Sequence, residues 1–349
     1  AGSGKSRTEN YTWDASGRFI ETVSNELGHT ARSVYNQATG QVIEVTDANG
    51  RKTTTQYNGL GMLVSSTAPN GITQQSIIAW DQSKTGSLYK AIARATGIPD
   101  NTVYYNNKGQ AILSESVNNQ GQKQYVATEY NASNQVYRVS LPYTSSPSAY
   151  TTYAYDSYNR VDSKTLANGT GIVDYTYNGL VNKVTTPDGF SETTVDDAGF
   201  VSSVESESGT VAYTYYSTGN VHTQTSGGNT ITYGYNAQWQ QTSVSDGDAG
   251  SYSSSYNALG ELLYSIDPRN HRYDFTYDVL GRIKTRTLVG GGDATEWFYD
   301  PSGNLGALDK VQHNSQNAET YSYDALGRVQ SSTQYTYGPQ NKTFTFGYS

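Results

Sequence analysis

The chain has 349 residues, a formal net charge of −8 and no cysteine. The acidic balance argues against nucleic acid, which needs a basic stripe for most of its affinity, and against an anionic membrane surface. The missing thiols exclude disulfides and thiolate metal sites, and no run approaches the roughly 18 apolar residues of a membrane helix. Hydrophobic residues make up 35%, a figure that includes 32 tyrosines, and there is one methionine, Met62. A thick aliphatic core is therefore out of reach. Abundant Tyr, Thr, Ser, Val and Asn suit half-exposed strands and the turns between them.

The chain opens with Ala1-Gly2-Ser3-Gly4-Lys5-Ser6. This resembles the tail of a phosphate-binding loop, but no hydrophobic strand precedes it and no helix follows. Residues 1–10 read as a linker or an expression scar. From residue 11 the unit Tyr-[Asp/Asn]-x-x-[Gly/Asn]-x-apolar recurs, first as Trp13-Asp14 leading to Gly17 and Phe19, then as Tyr57-Asn58-Gly59-Leu60-Gly61-Met62-Leu63. Further examples are Tyr155-Asp156 with Asn159 and Val161, and Tyr256-Asn257-Ala258-Leu259-Gly260-Glu261-Leu262. Tyr277-Asp278-Val279-Leu280-Gly281-Arg282-Ile283, Tyr299-Asp300 with Gly303 and Leu305, and Tyr323-Asp324-Ala325-Leu326-Gly327-Arg328-Val329 complete the clear copies. The repeat-motif residues singled out are Tyr57, Gly61, Tyr256, Gly260, Tyr277, Asp278, Gly281, Tyr299, Gly303, Tyr323, Asp324 and Gly327.

First positions fall at 13, 35, 57, 80, 105, 130, 155, 177, 195, 215, 235, 256, 277, 299, 323 and 348, sixteen anchors spaced 18 to 25 residues apart. Residues 11–349 thus read as one repeat array, its last unit cut short at Tyr348-Ser349. Asp or Asn can start a turn by bonding backbone two residues on, and the later Gly or Asn closes it in the left-handed conformation. That hairpin would oppose the anchor Tyr to the apolar residue six positions later. Alternating segments such as Thr210–Tyr215, Thr230–Tyr235 and Tyr273–Tyr277 are strands. A second turn class precedes such strands, at Asp47-Ala48-Asn49-Gly50, Ala167-Asn168-Gly169, Pro187-Asp188-Gly189 and Asp267-Pro268-Arg269-Asn270. The expected fold is all-β: tandem hairpins in one continuous, spiralling antiparallel sheet, a partial hollow shell or barrel-like band. At about 4.8 Å per strand the ribbon would run roughly 150 Å. Tyrosine ladders would thicken it, their hydroxyls at the wet edge.

Two stretches stand apart. Leu88–Ala95 has helical propensity and reads as a strand or a single helical turn in an outer loop, before Gly97 and Pro99. Leu141-Pro142-Tyr143 through Pro147 reads as a loop insertion.

The repeated motif resembles the YD/RHS-repeat family, which includes B and C components of insecticidal Tc toxin complexes, polymorphic RHS toxins, wall-associated bacterial toxins and teneurins. The Tyr-Asp-Ala-Leu-Gly-Arg-Val run at 323–329 lies close to the family consensus. The resemblance implies a β-cocoon that encloses or presents a toxin or effector domain of a large secreted or cell-surface bacterial protein. Implied partners are the remainder of the same polypeptide or a partner shell subunit, without nucleic acid or membrane insertion. Asp300-Pro301-Ser302-Gly303 is superficially like a core-ending cleavage motif but sits in register as an ordinary repeat.

No catalytic, cofactor or metal site is expected. His29, His222, His271 and His313 lie in different repeats without ligand spacing and read as solvated surface histidines. Asp196-Asp197 and Asp246-Gly247-Asp248 are short acidic turns without calcium-loop alternation. Glu205 and Glu207 would share one face of a strand, with nothing else to suggest a glycosidase cleft. Exposed aromatic rows leave a second reading open, an adhesive or glycan-binding module for a cell-surface glycan.

Overall fold

The computed structural model describes residues 6–336, apart from Asn168 and Thr170, and residues 342–348. Residues 1–5 of the phosphate-loop-like opening, Asn168 of one second-class turn and the terminal Ser349 lie outside the described residues. Among the described residues there are thirty-one strands, from Asn10–Trp13 to Lys342–Gly347, and no helix. The chain is all-β and antiparallel.

By compactness it divides into two units. One comprises residues 1–61, 67–71 and 232–349, the other residues 62–66 and 72–231. In the first, the strands from Asn10–Trp13 to Lys52–Tyr57 pair in chain order, each with the next, as do those from Gln241–Asp246 to Lys342–Gly347. In the second, the same order holds from Thr73–Trp80 through Val221–Ser226.

Burial is thin. Among the described residues the buried hydrophobic side chains are Tyr104 and Val173, and none is fully enclosed. With so little apolar surface removed from water, stability has to come from the backbone ladder and from specific side-chain contacts. Stacked rings supply some of it, at Phe19–Tyr35 (4.8 Å), Tyr89–Tyr105 (4.9 Å) and Phe200–Tyr215 (5.0 Å).

The hairpin register follows the motif in most copies. Tyr277 faces Ile283, Tyr323 faces Val329, Tyr256 faces Leu262 and Tyr155 faces Val161, each at a β-bulge. Five anchors depart from the expected spacing: Tyr35 faces Val42, Trp80 faces Tyr89, Tyr177 faces Asn182, and two of the clear copies also shift. Trp13 faces Ile20 instead of Phe19, because Asp14 N–H closes its turn on the Phe19 carbonyl, one residue later than in the regular copies. Tyr299 faces Leu308, not Leu305. The chain makes two further turns, Asn304 N–H to the Pro301 carbonyl and Ala307 N–H to the Asn304 carbonyl, before Asp300 N–H reaches the Ala307 carbonyl.

The stretch with helical propensity is a strand, Tyr89–Ala95, and not part of an outer loop. It is paired on both sides, with Ile77 opposite Ile92 and Ala91 opposite Val103. Cross-strand apolar pairing outweighs an intrinsic preference of a few tenths of a kcal/mol per residue. The insertion after Leu141 folds back onto the sheet. Tyr143 exchanges both backbone hydrogen bonds with Tyr125, at 2.7 and 2.9 Å.

Candidate structural site: the repeat-to-repeat clasp

Each regular turn is built by one side chain. Asp278 Oδ1 accepts from the N–H groups of Leu280 and Arg282, both at 2.9 Å, while Gly281 N–H donates to the Asp278 carbonyl at 3.0 Å. Asp324 does the same with Leu326, Arg328 and Gly327. Gly281 and Gly327 have φ of +80° and +78°, where a β-carbon is strained. Gly61, Gly260 and Gly303 share that conformation, and Asn134 and Asn159 stand in for glycine at φ +64°.

Eight anchor tyrosines spend their hydroxyls on the backbone of the preceding repeat and do not leave them at a wet edge. Beyond the pair Thr285–Glu296 the neighbouring strands part, so the Ile283 carbonyl has no ladder partner on that side. Tyr299, three residues past Glu296, fills the gap by donating its hydroxyl to that carbonyl at 2.9 Å. The arrangement recurs: Tyr130 to Ala111, Tyr155 to Val136, Tyr177 to Val161, Tyr215 to Val201, Tyr256 to Gln241 and Tyr323 to Leu308, at 2.6 to 3.0 Å. Tyr277 reaches the Leu262 backbone in the same way. Each of these eight tyrosines therefore caps the preceding repeat where its ladder ends. Burial pushes the phenols of Tyr130, Tyr155, Tyr277, Tyr299 and Tyr323 above their ordinary value.

A second arm of the clasp leaves from the residue after the left-handed position. Arg282 donates to its own Asp278 at 2.6 Å and by both arms of its fork to Asp300 of the next repeat, at 3.0 and 2.7 Å. Its guanidinium also lies 4.3 Å from the centre of the Tyr299 ring. Arg160 repeats the stacking on Tyr177, at 4.1 Å. Where this position is Gln, the amide donates to the next turn, Gln41 to the Gly61 carbonyl (2.9 Å) and Gln135 to Asn159 Oδ1 (3.2 Å). The forked bonds from Arg282 outweigh desolvation and hold the Asp300 carboxyl below the usual carboxylate range.

Several residues considered for chemistry serve the turns. Asp300 also accepts from Gly306 N–H at 2.6 Å, so its carboxylate is occupied by turn closure and Arg282. Asp196 and Asp246 cap turns through the N–H groups of Ala198 and Asp248. Glu205 lies in strand Val201–Ser206, whereas Glu207 falls in the following turn, because that strand ends at Ser206; the two do not share a strand face. His271 and His313 are exposed beside Asp267 and Asp293. His29 and His222 are not simply solvated: His29 is 13% exposed, 3.8 Å from Asp300, and His222 packs against the Tyr216 ring at 4.6 Å. Among the described residues no group of three or more His, Asp or Glu side chains is placed to hold a metal.

Residues 35–73 match the RHS repeat family, beginning at the anchor Tyr35. That segment is similar to an RHS repeat. The same turn and clasp recur outside that segment, as the Arg282 and Tyr299 contacts show. No curated protein matches the chain. Among solved structures, a TcdB2-TccC3-Cdc42 crystal structure aligns with 95% of this chain and 22% of its own, at 14% identity and a TM-score of 0.36. The Photorhabdus luminescens Tc holotoxin pore aligns with 94% of this chain and 22% of its own, at 14% identity and the same TM-score of 0.36. This chain thus spans about a fifth of the length of those two.

Proposed function

We propose that the chain is a structural scaffold, a segment of repeat wall that encloses or presents a toxin or effector domain of a large secreted bacterial protein. The clasp carries this reading: Tyr299, and Arg282 with Asp300, join one repeat to the next. The similarity of residues 35–73 to an RHS repeat supports it independently. The wall's partners on this reading are further repeats and cargo of the same polypeptide, or a second shell subunit, and the repeat array runs over residues 11–349. The test is protease protection in the full natural polypeptide. A cargo domain should resist digestion while the wall is intact and become sensitive when Tyr299→Phe and Tyr323→Phe loosen it. Equal digestion of the cargo in both would overturn the proposal. Trp80 and Tyr158, 80% and 78% exposed, favour the adhesive alternative, which a glycan array with Trp80→Ala as the comparison would detect.

A further inference from the structure

Within the unit formed by residues 1–61, 67–71 and 232–349, early turns meet late ones 252 to 274 residues away. Asn49 makes a two-point contact with the backbone of Leu305. Its Nδ2 donates to the Leu305 carbonyl at 3.1 Å, and its Oδ1 accepts from the Leu305 N–H at 2.7 Å. Arg51 donates to Asn304 Oδ1 at 2.5 Å and to the Ala325 carbonyl at 3.1 Å. Arg7 pairs with Glu261 and lies against Gly281, and His29 faces Asp300.

The order of these contacts is regular. Arg7 touches the turns that hold Glu261 and Gly281, His29 touches the one that holds Asp300, and residues 49–51 touch those that hold Leu305 and Ala325. Each step along the early repeats is one step along the late ones. The strands do not make this contact; side chains of one turn read the backbone of another. Asn49 offers the same donor and acceptor that a neighbouring strand would, so it is indifferent to which side chain residue 305 carries. What it requires is a turn presenting an unpaired N–H and C=O with space beside it. Gly327 provides space for Arg51: a β-carbon there would lie 2.6 Å from Nη1.

We propose that the notch between consecutive repeat turns is a docking slot for a turn of the opposite sheet edge, filled here by residues 47–51 of the same chain. Asn49 and Arg51 are the positioning residues that decide which slot is taken. The Asn49 side chain is free to do so because its own turn is capped by Asp47, whose Oδ1 accepts from the Asn49 and Arg51 N–H groups at 2.9 and 2.8 Å. The inference stands whether or not the wall encloses anything.

Amide hydrogen exchange on the full chain tests it, read at Leu305. Asn49→Ala should speed exchange of the Leu305 amide at least tenfold while strand amides around Val173 keep their rates. Asn49→Asp retains the acceptor and should restore most of the protection. Gly327→Ala should also expose Leu305 by displacing Arg51. Gly199→Ala, strained at φ +86° but with nothing within 4 Å of the added carbon, should not. Unchanged Leu305 exchange in Asn49→Ala would overturn the slot. So would equal acceleration in Asn49→Ala and Asn49→Asp, or in Gly327→Ala and Gly199→Ala, because those patterns mean general loosening.

Discussion

The Tyr299 hydroxyl donates to the Ile283 carbonyl, sixteen residues earlier, at the point where the two strands part. Removing only that oxygen should leave a carbonyl without its partner in a half-buried site. Tyr299→Phe is expected to cost about 1 kcal/mol in urea unfolding, the usual net worth of such a bond. Tyr158→Phe, at a residue 78% exposed, should be indistinguishable from the parent. Equal midpoints for the two variants would show that the hydroxyl does not hold the repeats together.

Arg282 bridges Asp278 and Asp300, with all three side chains about one-fifth exposed. Arg282→Ala should cost about 2 kcal/mol, the order expected for charge-assisted bonds in a partly buried site. Arg282→Lys keeps the charge but not the two-point fork, so it should fall between Ala and the parent. Arg328, 72% exposed on a similar turn, should matter much less. Thermal melts of the three variants check the order.

Alkali should unfold the chain through its tyrosines. Burial raises the Tyr299 and Tyr323 phenols in the folded state, whereas unfolded tyrosines ionise near pH about 10. The folded form therefore binds protons that the unfolded form releases. That stabilisation is complete below pH about 10 and is lost as pH rises through the raised folded values. Phenolate absorbance should grow together with loss of the β signal. Full ionisation of the clasp tyrosines in a still-folded chain would contradict the buried clasp.

In acid the sign reverses. The Arg282 bonds lower Asp300, and the Arg328 N–H helps to lower Asp324. Their contribution is present above the ordinary carboxylate value of about 3.9 and is lost as pH falls through the depressed values. The urea midpoint should drop below pH about 4, and Asp300→Asn should flatten that drop. A midpoint unaffected by acid, or a drop of the same steepness in the variant, would count against the bridge.

Much of the local structure was legible beforehand because it is made by residues close in sequence. The Asx turn at Asp278 needs only its own N–H groups and Gly281, so composition and spacing reveal it. The Tyr277–Ile283 pairing follows from that turn. The register at Tyr299 is not legible from the motif because two further turns carry that loop on to Ala307. The strand at Tyr89–Ala95 was obscured because its partners on both sides outweigh its own propensity. A sequence signal accompanies the clasp: Arg or Gln directly follows the left-handed residue of the anchor turn at 18, 41, 110, 135, 160, 240, 282 and 328.

The sequence by itself determined that this is an all-β repeat chain with a thin apolar layer, because alternation, turn chemistry and scarce aliphatics act over a few residues. Only the tertiary structure decided what its polar residues do. Strand pairing carries Tyr299 to Ile283 and Arg282 to Asp300, and the packing of one turn on another carries Asn49 to Leu305. The motif spacing repeats the first two encounters along the chain, but no spacing rule encodes the third, whose partners lie 256 residues apart.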